Sequence, residues 1–530
     1  MLQLLLVMLM ATVASADIAS DGSVAAGWSL GRTGDTPVID AWRPVLMLDG
    51  GLQAEAKVTK TPNGFDIVWT VSNPTGTDAA VPELRLPLMD LGDEIVAMDF
   101  YRSGWPQRLT QRGPHTSMMG VYPGTLYAPV SVLMTTRLAI GITVQYPVLE
   151  YRHECALGIE AAGEGRWQLR LLLGGKLGEG VGTIRRSAKV PAGQTRTWTI
   201  TVRATADPMR WLETLEPYRQ FFRSTYGGVQ YHRDARSIRG VIPAFGHRQS
   251  EGNPSGWIEA AHRPDQHGYA GIVRVVLHAL QQADRVILWA PSGRAFDHRV
   301  LNLPFRFTSH WIDGDPQSPL SDAPELLRRM PLGAKQQWGL WWGHSMQSTP
   351  AWDTLPQTPL NLNDDMQRSL FLSELDGAVD AGAVLVGLDE FTTGHVGEWD
   401  RVIWLTQLQE AAPGITFCSE GMSSDILHRL APTWLDLYRA KPDRFGGTLM
   451  IRGPFLLADW LLPGHETWAG MLFDRSSDPA LHADAIHAEE SRMAVIRGVA
   501  RDGYIPVVFA DLPVRRVIIG DPGVASAQEQ

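Results

Sequence analysis

The sequence predicts a multidomain chain: an N-terminal all-β sandwich followed by a (β/α)8 TIM barrel. Two patterns predict it. Up to about residue 205, short runs alternating polar with apolar residues are separated by Gly, Pro and Asn, the pattern of sandwich strands. From about residue 236, short apolar runs alternate with segments of helical spacing, seven or eight times in about 285 residues. Repeated βα units make a parallel sheet covered by helices, and that number in that length suits a closed barrel better than an open doubly wound sheet, the alternative.

The first element is the apolar run 1–16. It is too short to span a bilayer well and ends in Ala14-Ser15-Ala16, an A-x-A cleavage pattern. We read it as a bacterial-type signal peptide, although it lacks a positively charged start, and expect a secreted or periplasmic protein; an uncleaved apolar anchor is the alternative. No later segment is apolar enough to be transmembrane.

The predicted sandwich spans 17–205. Runs 65–71, 138–144, 167–173 and 195–203 alternate as half-buried strands do, and Asn73-Pro74-Thr75-Gly76 is a turn signal. A connector over 206–235 follows. Asp207 is a suitable N-cap, Pro208 a suitable first-turn residue, and Trp211, Leu212, Leu215, Tyr218, Phe221 and Phe222 share one face of a helix over 209–223.

The predicted barrel spans 236–520, with 521–530 a loose tail. Its strands are read at 240–245, 285–290, 337–342, 384–388, 415–419 and 504–510. Its helices are read at 269–283, 321–330, 364–381, 398–411, 423–439 (interrupted at Pro432) and 482–500. The stretch 445–475 shows no clear register.

Composition narrows the function classes. The formal net charge is -10, and no Lys/Arg run tracks a phosphate backbone, which argues against nucleic acid. The two cysteines, Cys155 and Cys418, fall in different predicted domains, which argues against a disulfide and a cysteine zinc site. There is no H-x-H, G-x-S-x-G, P-loop lysine or strand-following G-x-G-x-x-G, so we expect no metal and no cofactor. The 19 tryptophans exceed both the 15 Phe and the 11 Tyr. Indoles stack on sugar rings, and they also fill cores.

In a parallel barrel the chemistry sits at the C-terminal ends of the strands. Two apolar runs end in carboxylates there: Val384 to Leu388 leads into Asp389-Glu390, and Ile415 to Ser419 leads into Glu420-Gly421. Asp389 and Glu420 are the candidate catalytic pair, one ionised to attack or activate water, the other protonated to donate to a leaving oxygen. Strand alternation sends Asp389 and Glu390 to opposite sides. Trp289, Trp342, His344, Glu390, Asp459, His465 and Asp511 are the candidate substrate-binding residues; His247 follows the first strand, and Asp459, His465 and Glu466 fall in the stretch without clear register.

On these motifs the chain resembles the retaining α-glycoside hydrolases built from an N-terminal β-sandwich and a (β/α)8 barrel. Its looser kin are the α-galactosidase/α-glucosidase group and the α-amylase-like group with endo-α-N-acetylgalactosaminidase. The resemblance implies a nucleophile after the fourth strand, Asp389. It implies an acid/base after the fifth in the amylase-like branch, Glu420. A third acid after the seventh strand in that branch, or an acid/base after the sixth in the α-galactosidase branch, falls nearest Asp459. The amylase-like Arg two residues before the nucleophile is Gly387 here, which points to a divergent member. The function so implied is an exported glycoside hydrolase acting with retention on an α-linked carbohydrate. The alternatives are a non-catalytic carbohydrate-binding or cell-envelope protein on a degenerate barrel, and a barrel enzyme of another hydrolytic or lyase type.

Overall fold

A computed structural model describes the chain from Ser29 to Phe509 with interruptions, the longest at 242–268, 302–322, 437–456 and 472–484. The signal at 1–16 and residues His247, His344, Glu390 and Asp511 lie outside the described residues. The chain divides into two compact units, 1–228 with 456–461 and 229–455 with 462–530.

The first unit holds two large sheets. An eight-stranded antiparallel sheet runs in the order Val45–Met47, Gln53–Thr61, Gly64–Ser72, Thr195–Thr205, Ala139–Gln145, Leu126–Met134, Val96–Tyr101, Trp105–Leu109. A six-stranded sheet runs Met118–Tyr122, Cys155–Ala161, Arg166–Leu172, Leu84–Asp90, Ser29–Thr33, Thr36–Ile39. Period-2 alternation explains the burial. Ile67, Trp69, Val71, Ile140, Ile142, Val144, Trp198, Ile200 and Val202 are all buried, every second residue of three neighbouring strands. Residues 229–235 of the expected connector group with the second unit; its helical part, 208–226, belongs to this one. Asp207 caps it by accepting from the Met209 amide at 2.9 Å, a 3-10 segment Pro208–Leu215 follows, and the helix Glu216–Tyr226 continues. Thr214 packs so closely on Gly141 that a Cβ there would stand 2.1 Å from its Oγ1.

The second unit is a closed parallel barrel of eight strands: β1 (Ile238–Val241), β2 (Arg285–Trp289), β3 (Gln337–Trp342), β4 (Leu385–Leu388), β5 (Thr416–Glu420), β6 (Thr433–Asp436), β7 (Thr467–Met471) and β8 (Ile505–Phe509). Between them run α1 (Tyr269–Leu280), α2 (Ala323–Arg328), α3 (Asp365–Asp380), α4 (Glu398–Ala411), α5 (Asp425–Leu430) and α6 (Ala485–Arg501). The interior is one buried cluster, to which every strand contributes: Ile238, Ile287, Trp341, Leu385, Cys418, Trp434, Trp468, Ile505 and Val507. Indoles fill it because glycines stand opposite them. A Cβ on Gly387 would lie 1.9 Å from the Trp341 ring, and one on Gly470 would lie 2.3 Å from the Trp434 ring. Large residues facing small ones give interlocking at native density.

The segment expected to be helical over 423–439 is instead α5 followed by β6. The cause is Pro432. Its ring pushes the preceding Ala431 into extended geometry (φ -149°, ψ 151°), and the chain leaves the helix there. The strand expected at 240–245 is described as Ile238–Val241, the segment beyond lying outside the described residues.

The N-terminal end of the barrel carries a buried polar network. Arg285 is fully buried, donates to the backbone carbonyls of Asp234 and Arg236, and lies 5.4 Å from the Trp468 ring centroid. Glu466 accepts from the Asp234 amide and from Trp468 Nε1. The His465 ring stacks on His428 at 4.0 Å, and its two nitrogens meet the His428 carbonyl and Thr433 Oγ1. Burial pushes His465 down to about 4 and His428 well below its ordinary value. In the first unit, His153 accepts from Trp198 Nε1 at 3.0 Å and is likewise held to about 4 by burial.

These histidines fold neutral and unfold protonatable. Their contribution to stability is therefore complete above about pH 6.5 and is lost as pH falls toward 4, because the unfolded chain then binds more protons. His153 alone is worth roughly 3 kcal/mol across that window. We expect the urea midpoint to drop between pH 6.5 and 4.5, and His153→Gln to flatten the drop. A midpoint level from pH 7 to pH 4.5 would contradict the assignment.

Candidate active site

The C-terminal ends of β4 and β5 bring two carboxylates side by side. Leu388 pairs with Ser419 in the parallel ladder, so Asp389 and Glu420 are the next register positions. Adjacent strands are about 4.8 Å apart, and register neighbours in a parallel pair project to the same side. That side is the barrel interior. Leu385 and Cys418 belong to the interior cluster, and alternation carries the direction two residues on to Gly387 and Glu420, and four on to Asp389.

Asp389 is 8% exposed. Its amide continues the ladder by donating to the Trp342 carbonyl at 2.8 Å. Its own carbonyl accepts from both the amide and the hydroxyl of Ser345, at 3.0 and 2.8 Å. Its carboxylate Oδ1 accepts from Trp341 Nε1 at 3.0 Å, so an interior indole orients the acid toward the mouth. Gly387 is what admits that indole. An Arg at this position, as in the amylase-like motif, has no room.

Glu420 is half-buried. Thr392, from the loop after β4, donates through its hydroxyl to the Glu420 carbonyl at 3.0 Å and through its amide at 3.3 Å. Gly421 then turns the chain at φ +85°, a left-handed conformation that favours glycine, and a Cβ there would stand 2.2 Å from Thr392 Oγ1. One turn further out, the buried Glu398 at the start of α4 accepts from Arg401 at 3.0 Å and from the Ser424 amide and hydroxyl at 3.1 and 2.7 Å. The loops after β4 and β5 are thus tied together at two levels.

The other candidates separate. Trp289 ends β2 beside Trp341 in register. Trp342 is corrected: it projects outward, fully buried, with its ring 6.0 Å from Phe371 of α3, and serves the barrel–helix layer. His465 is corrected: it precedes β7 and lies at the N-terminal end of the barrel, as does Glu466. Asp459 is corrected: it sits in a short helix, Leu457–Leu461, that groups with the first unit, where Arg219 lies over the neighbouring Trp460 at 4.8 Å. The acid that ends the sixth strand is Asp436, paired in register with Gly470 of β7. The sequence carried a signal for it: Thr433-Trp434-Leu435-Asp436 is another apolar run ending in a carboxylate.

Among the described residues, no group of three or more His, Cys, Asp or Glu side chains is placed to hold a metal ion, and no helix is long and apolar enough to cross a membrane.

No protein-family model matches the chain, and no curated protein matches it by sequence. Solved structures similar to it include glycoside hydrolases. Thermus thermophilus α-galactosidase in complex with stachyose aligns at a TM-score of 0.43 and 12% identity, over 88% of this chain and 95% of that one. The glycoside hydrolase domain of Pseudomonas aeruginosa PelA aligns at 0.26 and 13%, over 52% and 95%. Aspergillus fumigatus Ega3 in complex with galactosamine aligns at 0.27 and 8%, over 54% and 96%. At these identities no residue role is transferred from them.

Proposed function

We propose that the chain is a glycoside hydrolase that cleaves O-glycosidic bonds of an α-linked sugar with retention. The observation that carries the reading is the register-neighbour pair Asp389 and Glu420 at the C-terminal mouth of a closed parallel barrel. Carboxyl groups about 5 Å apart suit a covalent double displacement and wider ones inversion; the adjacency of the two strands supports the retaining alternative. In this reading Asp389, oriented by Trp341 Nε1, attacks the anomeric carbon and forms a glycosyl ester as the glycosidic C–O bond breaks. Glu420, as the acid, gives its proton to the departing oxygen. Glu420, now a carboxylate, then takes a proton from water, which attacks the anomeric carbon and frees Asp389. We also propose that 1–16 is removed on export and that the two sheets of the first unit pack as a sandwich.

Asp436, at the end of the sixth strand, is the competing acid. The assignment is tested with two aryl glycosides, one with a good leaving group and one with a poor one. A missing acid matters little when the leaving group departs unaided. We expect Glu420→Gln to retain most of kcat/KM on the activated substrate, which reads the first step, and to lose about 10²-fold or more of kcat/KM on the poor one, while kcat on the activated substrate falls because the second step lacks its base. If Asp436→Asn shows that split and Glu420→Gln does not, Asp436 is the acid/base.

A further inference from the structure

The first unit contains a polar groove that the barrel chemistry does not use. Below the helix Glu216–Tyr226, the eight-stranded sheet presents its non-core face: Asp66, Thr143, Gln145, Thr199, Thr201 and Arg203 alternate with the buried core residues of their strands. A sheet face covered by a helix ordinarily carries apolar residues, since covering it removes water. Here the helical segment meets the sheet closely at Thr214 and Gly141, and elsewhere roofs a cavity of about 730 Å³. That volume falls in the range of small-molecule sites, about 300–1,000 Å³.

The groups of this face are only partly spent on one another. Thr143 and Thr201 share a 2.8 Å hydrogen bond, and Arg203 pairs with Asp66 Oδ1 at 2.6 Å. The hydroxyl of Thr61, also in the lining, is buried with no hydrogen-bond partner among the described residues. One wall is apolar, formed by Pro62, Pro217 and Phe221. Asp66 pairs with Arg203, and the other two lining carboxylates, Glu213 and Glu216, pair with Arg210 and Arg219 from outside the lining, so among the described lining residues the groove offers an acidic sugar carboxylates and no unpaired cation. Hydroxyl, amide and carboxylate groups beside an aromatic edge match a ligand with many hydroxyls and an apolar C–H face.

We propose that this groove is a second saccharide site, selective for neutral or amino sugars over acidic ones. It stands on the first unit alone and does not depend on the barrel being catalytic.

The test uses the full-length chain carrying Asp389→Asn, with maltose, lactose, glucosamine and glucuronate as probes, read by saturation-transfer NMR and calorimetry. We expect at least one neutral or amino sugar to bind and glucuronate to bind at least tenfold more weakly. Adding Ser224→Trp, at an exposed position on the groove rim, or Gln145→Ala with Thr199→Val, should weaken binding at least tenfold with the circular dichroism unchanged. Binding insensitive to both changes, no binding by any probe, or equal affinity for glucuronate overturns the proposal. Turnover by the Ser224→Trp chain with Asp389 intact reads the barrel separately, so loss of either reading leaves the other standing.

Discussion

On the proposed mechanism, Asp389→Asn is expected to lower kcat on an activated aryl α-glycoside by on the order of 10⁴-fold while the chain stays folded. The amide is nearly isosteric with the carboxylate and keeps an oxygen to accept from Trp341 Nε1, and Ser345 holds the backbone of residue 389 rather than its side chain. The structural cost is therefore small, and what disappears is the proposed nucleophile. The measurement is kcat beside a thermal melt. Because the loss lies in bond formation, KM should move far less than kcat. Turnover that survives within tenfold of wild type would remove Asp389 as nucleophile and, with it, the two-carboxylate reading. An inactive chain whose melt has also collapsed would show a structural role instead.

Gly387→Arg, which introduces the arginine of the amylase-like motif, is expected to abolish folding of the barrel. The first side-chain atom would already lie 1.9 Å from Cε3 and 2.4 Å from Cζ3 of Trp341, in the interior cluster. Neither β4 nor the indole has room to retreat: Gly387 is paired with Trp341 on one side and Cys418 on the other, and the Trp341 ring also packs edge-on against Trp434 at 4.9 Å. Overpacking of this kind costs about 1–3 kcal/mol even for added methylenes, and an unpaired buried charge adds several more. We expect little soluble protein. The milder Gly387→Ala should lower the urea midpoint, and Trp341→Leu in the same chain should recover part of the loss without recovering turnover, since Asp389 then lacks its indole donor. A soluble Gly387→Arg chain with a wild-type melt would show that the indole can move.

Both predictions turn on one contact, and it shows where sequence reasoning reached and where it stopped. The run ending at Asp389 was legible because a short apolar stretch between two helix-period segments has few other interpretations. β3 at Gln337–Trp342 and α4 at Glu398–Ala411 were legible for the same reason, and both match their expected bounds. β6 was not. Four residues are too few to show a period, and the six-residue α5 before it has the same apolar richness, so the segment read as one helix broken at Pro432. β7 was obscured by Gly464, Gly470 and the histidine beside it, residues that serve turn and packing needs rather than strand propensity.

The tryptophans divide along the same line. Their number suggested sugar stacking, yet Trp338, Trp341, Trp342, Trp399, Trp404, Trp434 and Trp468 are all fully buried in the second unit. Local alternation was enough to say that Trp341 and Trp342 face opposite ways; it took the closed barrel to say which faces in. Likewise, strand ends named Asp389 and Glu420 as a candidate pair from the two apolar runs alone, each a property of its own segment. That they are register neighbours, that Gly387 exists to admit an indole rather than to turn the chain, and that Asp436 and not Asp459 ends the sixth strand are properties of the ladder and of the packed interior. Periodicity is local and survives in the sequence. Register and close packing join residues far apart in the chain, and they exist only once the barrel closes.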